Sequence, residues 1–126
     1  MLLLLAGVQS SPFEGDWRNP KGSVIITISP CGDALCGTVR WASEKAMADA
    51  RRGGTDPLVG AELLSAFVPV DATHFRGRIF VPDANKRSKA QLELLGPDRV
   101  RIRGCAVGGQ LFCRSQVWNR VEAAAP

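Results

Sequence analysis

The chain has 126 residues, of which 45% are hydrophobic and 22% charged, and it carries a formal net charge of +4. That length suffices for one domain with a core but not for two, and the composition excludes a disordered chain. With one His and no Tyr, a Ser-His-Asp machine or a multi-His metal site has almost nothing to draw on, so neither an enzyme nor a cofactor is expected.

Residues Leu2 to Val8 form an apolar run, followed by Gln9-Ser10-Ser11-Pro12. This pattern suits the apolar core and cleavage region of a secretory leader, with Val8 and Ser10 at the small-residue positions. The expected division is therefore a shortened leader over 1–10 and a single domain over 11–126. The alternative is a short apolar strand. The run is far too short to cross a bilayer, which takes about 20 residues. Four cysteines agree with export, since small exported domains commonly carry disulfides.

After the leader the chain reads as short strands separated by turn signals, the pattern of an all-β meander. Gly15-Asp-Trp17 opens the first. Val24–Ser29 is β-branched, and Cys36–Trp41 follows a Gly-Asp turn. Ser43–Arg52 breaks the pattern: it has no β-branched residue and is rich in helix formers. Ser43 suits the N-cap and Gly53-Gly54 the end, so a short helix is expected in the linker after the second strand. Leu58–Val70 is apolar and ambiguous, with strand favoured because Gly60 and Pro69 interrupt it. His74–Val81, Ala90–Leu95, Arg99–Arg103 and Leu111–Arg120 complete the strands. Pro82–Asn85, Gly96–Asp98 and Gly108-Gly109 supply their turns.

The cysteines suggest two hairpin registers. With Cys31 opposite Cys36, Ile28 falls opposite Val39 and Ile26 opposite Trp41 on an apolar face, while Ser29 meets Thr38 and Thr27 meets Arg40 on a polar one. With Cys105 opposite Cys113, Arg103 meets Ser115, Arg101 meets Val117 and Arg99 meets Asn119 on the outer face. Ile102 then meets Gln116, and Val100 meets Trp118, on the inner face. Disulfides Cys31–Cys36 and Cys105–Cys113 are expected on the outside. The spacings suit zinc poorly, and no metal is expected.

Alternation places Arg114, Gln116, Trp118 and Arg120 on the inner face. A Trp near the N-terminus and an Arg closing the last strand suggest that the first and last strands meet, which closes a barrel and removes its edges. Gly15, Trp17 and Arg120 are the expected closing group, with the guanidinium stacked on the indole. Arg114 and Gln116 either orient the polar end of a ligand or belong to a satisfied internal network. In the ligand reading, Trp118, Trp41, Val39, Ile26 and Ile28 line the apolar part, and a fatty-acid-like molecule suits Arg114. His74 faces outward. So do Arg76, Arg78, Arg99, Arg101 and Arg103, a basic surface open to solvent or to an anionic envelope partner. No nucleic-acid motif and no transmembrane segment is present.

Gly15-x-Trp17, Pro30-Cys-Gly-x-x-Leu-Cys-Gly37, Leu58-x-Gly60, Gly77-x-Ile-Phe-x-Pro-Asp83, Gly104-Cys105 and Arg114-x-Gln-x-Trp-x-Arg120 together resemble the exported bacterial family known as domain of unknown function 2147. That resemblance implies a lipocalin-like β-barrel of about eight strands in the periplasm or secreted. The Gly-x-Trp start with a terminal Arg also resembles the closed end of lipocalins. Two functions follow as expectations. One is a non-enzymatic barrel that binds a small apolar or amphipathic ligand. The other is an envelope protein–protein interaction module whose barrel is filled by side chains.

Overall fold

Short turn signals between strands of alternating character leave each strand to pair with its sequence neighbour, and the structure follows that rule all the way round. It is a computed structural model and describes residues 11–108 and 110–121, with the side chains of all of these except 106–113. The expected leader over 1–10 lies outside the described residues. The strands are β1 (Gly15–Arg18), β2 (Val24–Cys31), β3 (Ala34–Ala42), β4 (Glu62–Asp71), β5 (His74–Val81), β6 (Lys86–Gly96), β7 (Arg99–Gly108) and β8 (Gln110–Arg120), with helix α1 (Glu44–Arg52) between β3 and β4. They form one closed antiparallel barrel in sequence order. The helix follows the third strand and not the second, counting Gly15–Arg18 as the first.

In such a meander alternate connections fall at the same end. The entry at 11–14, the turns at 32–33, 72–73 and 97–98, and the end of β8 share one end, the floor. The turn at 19–23, α1 with 53–61, and the turn at 82–85 share the other, the mouth. Ser43 caps α1 by accepting from Ala46 N at 3.1 Å, and Gly53 ends it. Ala50 is fully buried, and Ala46 and Met47 pack on the core. Thr55 Oγ1 donates to Pro82 O at 3.0 Å, which ties the segment after the helix to the β5–β6 turn. Among the described residues no helix is long and apolar enough to cross a membrane.

The β7–β8 hairpin has the expected register throughout, from Arg99 opposite Asn119 to Cys105 opposite Cys113. The β2–β3 hairpin does not. Ile28 faces Gly37 and Ile26 faces Val39, a displacement of two residues. An even displacement leaves every side chain on its own face, so the apolar and polar faces survive. The physical reason is the turn. Pairing Cys31 with Cys36 leaves a four-residue loop, whereas Cys31 opposite Ala34 closes on Gly32-Asp33, with Gly32 at φ +68° as a tight hairpin turn requires. Cys31–Cys36 is still a disulfide, formed on the diagonal with its Cα atoms 5.8 Å apart.

A second departure moves a side chain to the other face. Ile25 faces Trp41 while Ile26 faces Val39, so Arg40 is an extra residue on β3. Such a bulge reverses the alternation beyond it. Val39 and Ala42 are buried, and Trp41 between them is 46% exposed on the outer wall. The expectation that Trp41 lines the lumen is therefore corrected.

Candidate functional site

Three regions can do chemistry or binding: the floor, the lumen with its mouth, and the outer wall. At the floor, Trp17 faces Arg120 across the β1–β8 pairing, and the Arg120 guanidinium carbon lies 4.3 Å from the Trp17 ring centroid. Arg120 donates from Nε to Pro97 O at 2.8 Å, from Nη1 to Glu14 O at 2.8 Å and from Nη2 to Pro12 O at 2.7 Å. One planar fork thus binds three loop carbonyls at once. Trp17 Nε1 donates to Phe13 O at 2.9 Å, and Phe13 packs on Phe75 with ring centroids 4.8 Å apart. Gly15 is required here. A Cβ on it would meet Arg120 Nη1 at 2.6 Å, and its φ is +128°. This is a structural closure.

Above the floor the described interior is packed with side chains. Trp17, Phe13, Phe67, Ile26, Ile28, Leu64, Leu92, Val39 and Val100 are all under 2% exposed. Ile26, Ile28 and Val39 thus lie inside as expected, as packing residues. Trp118 is also buried, and its Nε1 donates to Gln116 Oε1 at 3.0 Å. Gln116 and Arg114 share its inner-facing alternation but are exposed. The inner face of β8 is therefore wet at Gln116 and Arg114. Gln116 has one clear task, satisfying the indole N–H.

Two concavities open on the outer wall. The first, about 530 Å³, is lined by Arg18, Gly22, Ile25, Arg40 and Trp41. Asp16 holds its edge: it accepts from Thr27 Oγ1 and from Arg40 Nη1, each at 2.6 Å. The second, about 420 Å³, is lined by His74, Gln91, Glu93, Arg101, Arg103 and Ser115. There His74 Nδ1 lies 2.9 Å from Asp71 Oδ1, its Nε2 lies 3.5 Å from Glu93 Oε2, and Arg101 Nη1 donates to Glu93 Oε1 at 2.7 Å.

The hydrogen bond that His74 donates to Asp71, aided by the Asp71 and Glu93 charges, raises the His74 pKa above 6.5. The Thr73 backbone N–H, followed by the His74 bond, lowers that of Asp71. A raised folded value means that His74 contributes stability fully below its unfolded pKa and loses it as pH climbs through the folded one. For Asp71 the contribution is present above the unfolded pKa and is lost on acidification. The pair's contribution is therefore complete between the two unfolded values and is lost as pH passes beyond either folded value. NMR titration of the ring should give a pKa above 6.5, and Asp71→Asn should bring it down. An unchanged value in that variant would remove Asp71 as the cause.

Cys105 is disulfide-bonded and stands opposite Cys113 in the ladder. The Cys113 side chain lies outside the described residues.

Residues 15–120 match the model of a family described as an uncharacterized protein conserved in bacteria (DUF2147). The chain belongs to this family. Among solved structures, a protein from the human pathogen Helicobacter pylori, described as belonging to the lipocalin family, superposes with a TM-score of 0.68 at 8% identity. The match covers 87% of this chain and 83% of that one. At that identity the likeness concerns the fold, which is lipocalin-like. No curated protein matches the chain.

For this member of DUF2147 the structure separates the residues that the sequence had grouped. Gly15, Trp17 and Arg120 meet at the floor. Ile26, Ile28, Val39 and Trp118 fill the core. Arg114 and Gln116 stand at the wet upper part of β8, and Trp41 stands outside with Arg18 and Arg40. The sequence missed the Asp71–His74–Glu93–Arg101 row. Its signal was present as opposite charges at outward positions of successive strands, but reading it needed the strand registers.

Proposed function

We propose that this protein is an exported, non-enzymatic binding module of the bacterial envelope in which the barrel is a filled scaffold and the outer wall makes the contacts. The observation that carries this reading is the lumen. A barrel of eight strands either fills with side chains or holds one small ligand, and here nine large interior side chains are under 2% exposed. Export is supported by the Cys31–Cys36 disulfide, which suits an oxidising compartment. A non-enzymatic role is supported by the scarcity of acid–base groups, since the single His is committed to an exposed ion-pair row.

A second reading, a small amphipathic ligand held at the mouth, is favoured by the exposure of Arg114 and Gln116 on the inner face. Titration with an environment-sensitive fluorescent fatty acid decides between them. The filled-scaffold reading expects no saturable binding. Saturable binding that is lost in Arg114→Met, with the melting transition unchanged, would overturn it in favour of the mouth ligand.

A further inference from the structure

The outward residues of β4 to β7 form rows that run across the wall. One row is Val68, Arg76, Gln91, Arg103. The next, towards the mouth, is Ser65, Arg78, Lys89, Cys105. Above it Arg87 faces Phe80, with its guanidinium carbon 4.8 Å from the ring centroid. Arg78 stands directly opposite Lys89, a like-charge pairing that destabilises a sheet unless an anion compensates it. Among the described residues, Arg76, Arg78, Lys89 and Arg103 make no ion pair with a carboxylate. Two acids in the row towards the floor, Asp71 and Glu93, are engaged by His74 and Arg101. Of the five arginines expected to form a basic surface, Arg101 is therefore neutralised, and Arg99 stands apart at the floor end of β7, opposite Asn119. Lys89 and Arg87 join Arg76, Arg78 and Arg103 instead.

We infer that this wall docks on an anionic lipid surface, with Arg76, Arg78, Lys89 and Arg103 facing the headgroups and Val68 and Val70 entering the interfacial layer. The inference rests on the outer-wall reading above and names its partner. Two observations select a surface over a small anion. The cations are spread over three adjacent strands: Arg78 faces Lys89 on the next strand, about 4.8 Å away, Arg76 lies about 7 Å along β5 from Arg78, and Arg103 faces Gln91 one strand further on. Arg76, Arg78 and Lys89 also line neither concavity of the outer wall, so they do not converge on one anion. A third observation selects lipid over a soluble polyanion. Val68, 41% exposed, sits beside Arg76 on the same face, and Val70, one bulge further along β4, is 58% exposed. Apolar side chains next to cations gain from burial at a membrane interface and gain nothing from a hydrated polymer.

The test is co-sedimentation of the full chain with vesicles of phosphatidylcholine, alone or mixed with phosphatidylglycerol. Binding is expected only to the mixed vesicles, reversed by high salt. The double variant Arg76→Glu, Arg78→Glu should weaken it by about tenfold or more. The charge-matched control Arg18→Glu, Lys21→Glu, on exposed residues at the other side of the barrel, should weaken it far less. Val68→Ser with Val70→Ser should reduce vesicle binding and leave retention on polyphosphate unchanged. Equal binding to both vesicle types, or equal loss in the control, would overturn the lipid surface. Vesicle binding untouched by the Val variants would assign the wall to a soluble polyanion. None of these outcomes depends on the fatty-acid titration, so failure of this docking and failure of the filled-scaffold reading are read separately.

Discussion

Trp17→Ala should lower the unfolding free energy by about 3–5 kcal/mol, as large-to-small changes of a buried aromatic do. Trp17 is fully buried, and its loss leaves the Phe13 carbonyl without its donor and Arg120 without the ring beneath it. Arg120→Ala should cost less, about 1–3 kcal/mol, because two of its three carbonyl bonds are solvent-exposed and water can replace them. The two losses should not add. Once either residue is gone the other has lost its partner, so the double variant should fall short of the sum by about 0.5 kcal/mol or more. Urea melts of the four proteins check this. Simple additivity would show that ring and guanidinium do not act as one unit.

The second large effect is expected at Gly77. A Cβ there would meet Ser65 O at 2.6 Å, Phe67 Cγ at 2.8 Å and Ala66 C at 2.9 Å. Two of these atoms are backbone and the third belongs to a fully buried ring, so none can step aside cheaply. The neighbouring strand is already bulged here, between Ser65 and Val68, and Ala66 sits at φ +57°. Gly77→Ala should therefore cost about 3 kcal/mol, the upper part of the range for overpacking. Gly96→Ala is the control, because nothing lies within 4 Å of the added carbon. It should be neutral or stabilise by up to about 1 kcal/mol through the unfolded chain. Equal melting midpoints for the two variants would show that β4 and β5 do not approach as closely at Gly77 as these distances require.

Much of the architecture is local and was legible. The β7–β8 register followed from alternation together with Cys105 and Cys113, because one slipped residue would have put Arg101 and Arg103 inside. Helix α1 followed from Ser43, a run without β-branched residues, and the glycines after it. The closing contact followed from the positions of Gly15, Trp17 and Arg120, since only a sheet whose ends meet brings them together.

What failed was whatever depends on an inserted residue or on filling space. The bulge at Arg40 turned Trp41 outward. Nothing in the local pattern of Val39-Arg40-Trp41 marks it, because the unbulged strand gives an equally good apolar face. The shift of β2 against β3 was decided by the tightness of the Gly32-Asp33 turn, which outweighs direct pairing of the cysteines. The sequence could place Ile26, Ile28, Val39 and Trp118 inside, but not say whether they meet. Whether a lumen is open is a matter of summed volumes across all eight strands, and only the assembled barrel brings Phe13, Phe67 and Leu92 into the same space. The outer wall was fixed in the same way. The residues supplied the charges, and the strand registers decided which were neutralised, leaving Arg76, Arg78, Lys89 and Arg103 together on one face.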